Sequence, residues 1–287
     1  MSLLTDFAEN ALADFVRGQG ITLPTDWHIG LLSAASDASV TELAGTGYAR
    51  IAVARSLAAW AGTQGAGTTL PSTGTSHGTS NNAAVDWGAA GSAWGTASHI
   101  GLFDAASGGE CWMIQELQAP IVIGASDPVA IEAGAIAYTL GLVGGMSDYL
   151  ANKLIDLLFR GQAYTWPAST YAALYTTAPS NAGGGTEVAG GSYARVAIAS
   201  SMVAWSGTQG AGTTAASTGT GGRISNNAAI NYPAPTAAWG AVSHEGLRDA
   251  STLGNLLFWG ALASPKTVSA GAGAPTHAAG SMKITFA

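Results

Sequence analysis

Cysteine and charge are both scarce in this chain of 287 residues. Cys111 is its only cysteine, so neither an intrachain disulfide nor a cluster of thiolate zinc ligands can form. Charged residues make up 9% of the sequence, and the ten Lys and Arg residues are scattered along it. Nucleic-acid binding needs concentrated positive charge. With a formal net charge of −7, the chain is not expected to bind nucleic acid.

Long apolar runs are missing as well. No run approaches the ~18 consecutive apolar residues of a membrane-spanning helix, so no membrane span is expected. The stretch Met1–Phe7 lacks the basic region and the apolar core of a secretion signal. A hydrophobic content of 47% and nine tryptophans argue against disorder. A chain rich in small residues and poor in charge suits an assembly protein whose surface is partly covered by neighbouring subunits.

An internal repeat dominates what the sequence does contain. The stretch Trp60–Thr69 recurs 145 residues later as Trp205–Thr214, and nine of its ten positions are identical. Further segments recur in the same order: Arg17–Gln19 as Arg160–Gln162, Tyr48–Arg50 as Tyr193–Arg195, Ser80–Val85 as Ser225–Ile230, and Ser98–Ala105 as Ser243–Ala250. We therefore predict two tandem homologous domains, residues 1–142 and residues 143–287, joined by a short linker.

Each copy begins with a helical pattern and continues with strand patterns. The first helix is predicted over residues 5–18, with Thr5 as its N-cap and Gly18 at its end. Its counterpart is predicted over residues 149–160. After the helix, turn signals separate roughly seven to nine short alternating segments in each copy. The pattern predicts a mainly β chain of two β-sandwich or barrel-like domains, each with an N-terminal amphipathic helix.

Two Gly-rich stretches follow the repeated tryptophans. Residues 61–80 and 206–224 are too polar for core strands and too rich in glycine for helices, so we predict long surface loops. They contain no lysine and precede no helix, which argues against phosphate binding. Trp60 and Trp205 are expected to anchor them in the core. Candidate partner-contacting residues in these loops are Thr63, Gln64, Thr68, Thr208, Gln209 and Thr213.

The best catalytic candidates are the repeated pairs His99–Asp104 and His244–Asp249. A histidine oriented by a carboxylate is a general base, but residues five apart on a strand point to opposite faces. We therefore interpret each pair as a strand-end histidine and a local turn aspartate, and predict no enzymatic activity. The repeated Tyr48 and Arg50 could stack a ligand, but a structural role is favoured.

The remaining histidines and tryptophans give little support for ligands. His28, His77 and His277 have no histidine counterpart in the other copy, and no two histidines share one element at ligand spacing, so no metal or cofactor is predicted. Five tryptophans occupy positions that differ between the copies and leave sugar stacking open: Trp27, Trp87, Trp112, Trp166 and Trp259.

Several segments of the second copy resemble bacteriophage virion proteins of the tail-fibre-like family. They are Tyr149–Leu154 with Arg160–Gly161, Tyr171–Ser180, Gly184–Val188 with Tyr193–Arg195, Trp239–Gly240, Gly254–Leu262 and Pro265–Val268. The first copy matches the same pattern with more divergence. The resemblance implies a non-enzymatic structural protein of the virion, assembled in the host cytoplasm, whose partners are other virion proteins.

The resemblance leaves the place in the virion open. The chain has no heptads and no fibrous shaft repeat, and two compact modules suit a capsid decoration protein or a tail subunit equally well. A homo-oligomer is expected, and a trimer would present six similar domains. The alternative is a carbohydrate-binding module for host adsorption, with a host surface glycan as partner.

Overall fold

The structure, a computed structural model, describes residues 4–140 and 145–286. Strands account for 42% of the chain and helices for 8%, which confirms the mainly β class with two tandem half-barrel sheets. The predicted domain boundary at residues 142 and 143 lies outside the described residues, so it stays a prediction. Neither helix of the described part is long and apolar enough to cross a membrane.

The first copy builds one five-stranded antiparallel sheet and two separate two-stranded sheets. Its elements are α1 (Asp6–Val16), β1 (Asp26–Ser36), β2 (Ser39–Glu42), β3 (Ile51–Ala54), β4 (Gly78–Ser80), β5 (Val85–Ala89), β6 (Gly95–Phe103), β7 (Cys111–Ile123), β8 (Pro128–Ile131) and β9 (Ala137–Thr139). The main order is β2-β1-β6-β7, and β3 also pairs with β1. Separately, β4 pairs with β9 and β5 pairs with β8.

The second copy repeats this plan. Its elements are β10 (Gly145–Met146), α2 (Asp148–Phe159), β11 (Ser169–Thr177), β12 (Thr186–Glu187), β13 (Val196–Ala199), β14 (Arg223–Ser225), β15 (Ile230–Asn231), β16 (Gly240–Arg248), β17 (Leu256–Val268), β18 (Thr276–His277) and β19 (Lys283–Thr285). The main order is β10-β17-β16-β11-β12, with β13 on β11. The small pairs are β14 with β19 and β15 with β18.

Both helices start at a hydroxyl cap. Thr5 Oγ1 accepts a hydrogen bond from the backbone N–H of Ala8, and Ser147 Oγ accepts one from Leu150. The Thr5 cap is confirmed, and α1 ends just before Gly18 as predicted. Phe7, in the first turn of α1, is 41% exposed although its ring packs edge-on against Trp112, with ring centroids 5.2 Å apart.

Each predicted loop ends slightly earlier than expected, because its last residues form a short strand. Gly78–Ser80 at the end of the first loop forms β4, and Arg223–Ser225 at the end of the second forms β14. Their partners β9 and β19 lie more than 50 residues further along the chain. A local pattern of Gly, Ser and Thr carries no sign of such distant pairing, so the sequence alone could not reveal these strands.

A single hydrophobic cluster includes residues of both copies. The helices join it across the copies: Phe159 of α2 packs on Trp60, with ring centroids 5.1 Å apart, and Phe15 of α1 packs on Trp166 at 5.8 Å. The indole N–H of Trp27 also donates to the carbonyl of Leu158, at 2.8 Å. Because the core is shared, separating the copies would expose these aromatic rings to water.

The tryptophans that were open to sugar stacking are mostly unavailable for it. Eight of the nine are buried in the cluster, namely Trp27, Trp60, Trp87, Trp94, Trp112, Trp166, Trp205 and Trp239. Trp259 is partly buried, and its indole N–H donates to Asn181 Oδ1 at 3.2 Å. Of the five tryptophans that differ between the copies, only Trp259 therefore stays open to sugar stacking.

Candidate functional site: helix–loop contacts between the copies

Each Gly-rich loop, residues 61–80 (the first loop) and 206–224 (the second loop), follows a fully buried tryptophan. A threonine then closes a tight turn. Thr68 Oγ1 accepts from the N–H of Gly62 at 2.9 Å and donates to the carbonyl of Gly65 at 2.5 Å. In the second loop Thr213 makes the same two bonds, at 2.8 Å and 2.6 Å. The turns are therefore held by hydrogen bonds within each loop.

The first loop is bound by the C-terminal end of α2, an arrangement called here the first helix–loop contact. Arg160 is fully buried and donates to the carbonyls of Trp60 at 2.9 Å and Leu70 at 2.5 Å. It also donates to Ser72 Oγ at 3.1 Å and to Asp156 Oδ1 at 2.6 Å. The rigid fork of the guanidinium gathers these acceptors because its N–H groups point outward in one plane.

Asp156 completes the first contact. Its carboxylate accepts from the backbone N–H of Ser72 at 2.9 Å and from Ser72 Oγ at 2.6 Å. The buried charges of Asp156 and Arg160 therefore compensate each other, and both are hydrogen-bonded to the loop. A buried ion pair is tolerated when its remaining donors and acceptors are satisfied in this way.

The second helix–loop contact has the same chemistry with the copies exchanged. Arg17, at the end of α1, donates to the carbonyls of Trp205 at 3.0 Å and Ala215 at 2.9 Å. It also donates to Ser217 Oγ at 3.1 Å and to Asp14 Oδ1 at 2.6 Å. Asp14 accepts from the N–H of Ser217 at 2.9 Å. The helix of each copy is thus held by the loop of the other copy.

The glycine after each arginine permits this close approach. Gly18 and Gly161 have φ values of +77° and +68°, in the left-handed region. A Cβ on Gly18 would lie 2.2 Å from the carbonyl oxygen of Ser200, and one on Gly161 would lie 2.5 Å from that of Arg55. Both neighbours belong to the other copy. The repeated Arg-Gly-Gln motif is therefore explained by the contact between the copies.

The predicted loop residues Thr63 and Gln64 come together in the first loop with Thr68. Thr63 is 3% exposed, donates to Asn152 Oδ1 of α2, and accepts from the N–H of Gly74 at 2.8 Å. Gln64 is exposed and donates to the carbonyl of Pro71 at 2.8 Å. Of these three residues, only Gln64 lies on the outer side of the loop.

The second loop repeats this arrangement with one difference. Gln209 is exposed and donates to the carbonyl of Ala216 at 2.6 Å. The hydroxyl of Thr208 is buried without a partner among the described residues. Sequence reasoning did not single out the residues that bind the loops: Asp14, Arg17, Ser72, Asp156, Arg160 and Ser217. The repeated Arg-Gly-Gln and the repeated Ser-Thr-Gly of the loops were the available signals.

The histidine–aspartate pairs are not arranged as general bases. His99 Nδ1 lies 2.8 Å from Ser98 Oγ, while Asp104 accepts from the backbone N–H of Glu110 at 2.8 Å. No hydrogen bond joins the two residues within residues 4–140. In the second copy Asp249 likewise accepts from the N–H of Asn255, at 2.6 Å. These contacts agree with a turn-closing role for the aspartates.

The repeated tyrosine and arginine meet a glutamate. Glu42 accepts from the Tyr48 hydroxyl at 2.8 Å and from Arg50 Nη2 at 2.8 Å. Arg50 Nη1 reaches the carbonyl of Ala105 at 2.7 Å, in the turn between β6 and β7. Burial raises the pKa of Tyr48 well above its usual value. Glu187 makes the equivalent bonds in the second copy. The trio joins the end of β2, the segment just before β3 and the turn, which agrees with a structural role.

In residues 4–140 and 145–286, no group of three or more His, Cys, Asp or Glu side chains is placed to hold a metal ion. Two histidines each contact one carboxylate: His77 Nε2 lies 2.7 Å from Asp148 Oδ1, and His277 Nδ1 lies 3.3 Å from Glu245 Oε2.

The geometry defines the class of protein: a duplicated, mainly β chain whose repeated polar residues hold its copies and turns together. The family model described as podophage GP4 fiber I protein gp80 matches residues 3–139 and again residues 145–285. The chain belongs to this phage fibre family and carries its unit twice, which confirms the predicted resemblance. A search of curated proteins found no match. The family name indicates a virion structural protein, and families of this kind are typically non-enzymatic.

Proposed function

We propose that the chain is a non-enzymatic fibre subunit on the tail of a phage particle. The match of a fibre family to both copies, over residues 3–139 and 145–285, carries this proposal. The shared core and the two helix–loop contacts support it, because they make one rigid unit of the two copies. A unit of this kind can transmit force between neighbouring virion proteins without its halves separating.

The outer tips of the two loops are the proposed contact surfaces for other virion proteins. The inner side of each loop is occupied by a helix of the other copy. Residues 64–67 and residues 211–212 are exposed and have only small or uncharged side chains. Glycine and alanine allow the backbone of a partner to approach closely. The predicted residue Gln64 begins the first tip, and Gln209 lies two residues before the second tip.

Bulky substitutions at the tips test this surface. Ala66→Trp combined with Ala211→Trp places two large side chains on the exposed tips without touching the helix–loop contacts. In a phage deprived of its own copy of the protein, the double variant should fail to enter particles. Ala125→Trp, in the exposed turn between β7 and β8, is the matched control and should enter particles normally. Equal incorporation of the two variants would rule the tips out.

The position of the chain on the particle distinguishes a tail subunit from a capsid decoration protein. Gold-labelled antibodies against the chain, viewed on intact particles by electron microscopy, should mark the tail. Labelling over the capsid would identify a decoration protein instead, and an absence of label from particles would remove the virion role altogether.

A homo-oligomer belongs to the same proposal, with a trimer as the arrangement to test first. Three chains would present six related units, which suits attachment to surroundings with six-fold or three-fold symmetry. Analytical ultracentrifugation over a wide concentration range should show a species of three chains. A monomer at every concentration would contradict this part of the proposal.

Carbohydrate binding for host adsorption is the second candidate. It is favoured by Trp259, the one partly exposed tryptophan, which lines a cavity of about 190 Å³ together with Glu245 and Lys283. An indole face beside polar groups can stack on a sugar ring. A glycan array should show binding that Trp259→Ala abolishes. An array without signal would contradict carbohydrate binding and leave the fibre role as the single candidate.

A further inference from the structure

A glutamine of the first copy joins its main sheet to one of its small sheets. Gln115 lies on β7, and its side-chain amide donates to the carbonyl of Ala135 at 2.8 Å and accepts from the N–H of Ala137 at 2.8 Å. Ala137 begins β9, which belongs to the small sheet with β4. The carboxamide of Gln115 therefore lies between the two strands and satisfies one backbone acceptor and one backbone donor.

The second copy has a glycine at this position. Ile100 faces Gln115 in the first copy, and in the same register Glu245 faces Gly260 in the second. A Cβ built on Gly260 would have no atom within 4 Å among the described residues, apart from its chain neighbours. The side chain that joins the two strands in the first copy is therefore missing in the second, and its space is open.

The backbone that Gln115 binds in the first copy has the same orientation in the second. Met282 accepts from the N–H of Asn226 at 3.2 Å and donates to Asn226 Oδ1 at 2.9 Å. Ile136 makes the same two bonds with Asn81, at 3.1 Å and 2.9 Å. The residues on either side of the isoleucine are those that Gln115 binds, so the residues on either side of the methionine direct their backbone groups the same way.

These groups of the second copy line a cavity of about 190 Å³. Ser281 corresponds to Ala135, and Lys283, which begins β19, corresponds to Ala137. The backbone groups of neighbouring positions point to alternate sides of a strand, so the Ser281 carbonyl and the Lys283 N–H point away from β14. Gly260, Ser281 and Lys283 all line the cavity, and the last two are exposed, so a group can enter from the surface.

The chemistry of the missing group follows from the two backbone groups. The Ser281 carbonyl needs a donor and the Lys283 N–H needs an acceptor, and a carboxamide carries both on one planar group. A carboxylate has no hydrogen to donate, and Glu245 on the cavity wall disfavours a second negative charge. The remaining walls include the apolar Leu247 and Phe258. An apolar cavity of about 150 Å³ already holds benzene, so this one has room for an aliphatic stem as well.

We propose that this cavity receives the side chain of a glutamine from a partner protein, whose carboxamide takes the place that Gln115 occupies in the first copy. The occupant is chosen because the first copy fills the same space with glutamine. The inference rests on the proposed virion role only for the identity of the partner. The cavity also contains Trp259, on which the carbohydrate candidate depends, so a glutamine and a sugar would compete for one site.

Propionamide and butanone are the paired probes. Propionamide is the glutamine side chain without its backbone, and butanone has a methyl group in place of the NH₂ group. Each is titrated into the full chain while the backbone ¹H–¹⁵N signals are recorded. Propionamide should bind saturably, should move the Lys283 N–H signal, and should bind about ten-fold more tightly than butanone.

A sugar with an acetamido group, N-acetylglucosamine, is the third probe and should bind more weakly than propionamide. Tighter binding of this sugar would overturn the assignment to glutamine. An unsaturable response to propionamide, or equal affinity for propionamide and butanone, would overturn the carboxamide site itself. These outcomes do not depend on whether the chain is found on phage particles, so they are distinct from failure of the virion role.

Exchanging the glutamine and the glycine between the copies shows whether the named residues are responsible. Gly260→Gln should abolish propionamide binding, because its own amide takes both backbone groups. Thr267→Gln, exposed further along β17, is the matched control and should leave binding unchanged. Gln115→Gly should create a second site, seen as a propionamide-dependent shift of the Ala137 N–H signal, and it decides the question if Gly260→Gln fails to fold. Propionamide binding that persists in folded Gly260→Gln, or no second site in folded Gln115→Gly, would contradict the assignment.

Discussion

Replacing Arg160 with methionine removes the guanidinium that joins α2 to the first loop. Methionine keeps much of the length and the apolar stem, so the change concentrates on the hydrogen bonds. These run to Trp60, Leu70, Ser72 and Asp156 at distances between 2.5 and 3.1 Å. After the change Asp156 remains buried and keeps only its two bonds from Ser72.

The expected loss of stability follows from the uncompensated charge. Removing one partner of a buried ion pair costs about 3–5 kcal/mol, chiefly because the other charge stays buried. The side chains of Arg160 and Asp156 are 0% and 10% exposed, so solvent screens this pair little. We predict that Arg160→Met lowers the free energy of unfolding by about 3–5 kcal/mol. Arg17→Met should have an effect of similar size at the second contact.

Equilibrium unfolding in urea, followed by tryptophan fluorescence and circular dichroism, measures this change. Arg223→Met is the control, because Arg223 is exposed on β14 and its loss should change the free energy by less than about 0.5 kcal/mol. A loss for Arg160→Met below about 1 kcal/mol, the size of an ordinary exposed ion pair, would refute the reasoning.

Three further predictions concern the loop, the Glu245 pair and the cysteine. Gly74→Ala should destabilise the fold by about 1–3 kcal/mol in the same urea assay, since its Cβ would lie 2.2 Å from the carbonyl oxygen of Thr63; an unchanged midpoint would contradict the tight packing. The pKa of Glu245 is raised by burial from 4.5 to about 7, so the folded state binds the extra proton between these values. The free energy of unfolding of the wild type, relative to that of Glu245→Gln, should therefore fall as the pH rises from 4.5 to about 7. A difference between the two proteins that does not change with pH would contradict the raised pKa. Burial raises the pKa of the Cys111 thiol to about 12, so iodoacetamide at pH 8 should alkylate it only after unfolding, as mass spectrometry would show.

Local patterns were enough to predict the repeat, the helices and the β class. The cap at Thr5 and the stop at Gly18 depend on neighbouring residues, so the sequence reveals them directly. The pairing of β4 with β9 and of β14 with β19 joins residues far apart along the chain and could not be predicted. The exposure of the unmatched tryptophans also depends on the shared core, which no single copy specifies.

The sequence could not show that the helix of each copy binds the loop of the other copy, because the two copies offer the same contact residues. The two loops begin with nearly the same ten residues, and both helices end in Arg-Gly-Gln. Each arginine therefore finds the same acceptors in either loop, and its chemistry does not say which copy it will bind. The choice is made by the geometry of the whole chain, in which Arg17 reaches Trp205 and Arg160 reaches Trp60. Arg17 and Arg160 are also the C-cap residues of their helices, so their position in the sequence does not distinguish a contact residue from an ordinary helix end.

Cleavage of the folded chain between Leu142 and Val143 tests the interlocked arrangement most directly. A protease site inserted there allows the full chain to fold before it is cut. If α1 belongs to the second copy's loop and α2 to the first, the two fragments should elute together from a sizing column in native buffer. They should separate when Arg17→Met and Arg160→Met are combined. Separation of the wild-type fragments in native buffer would contradict the account.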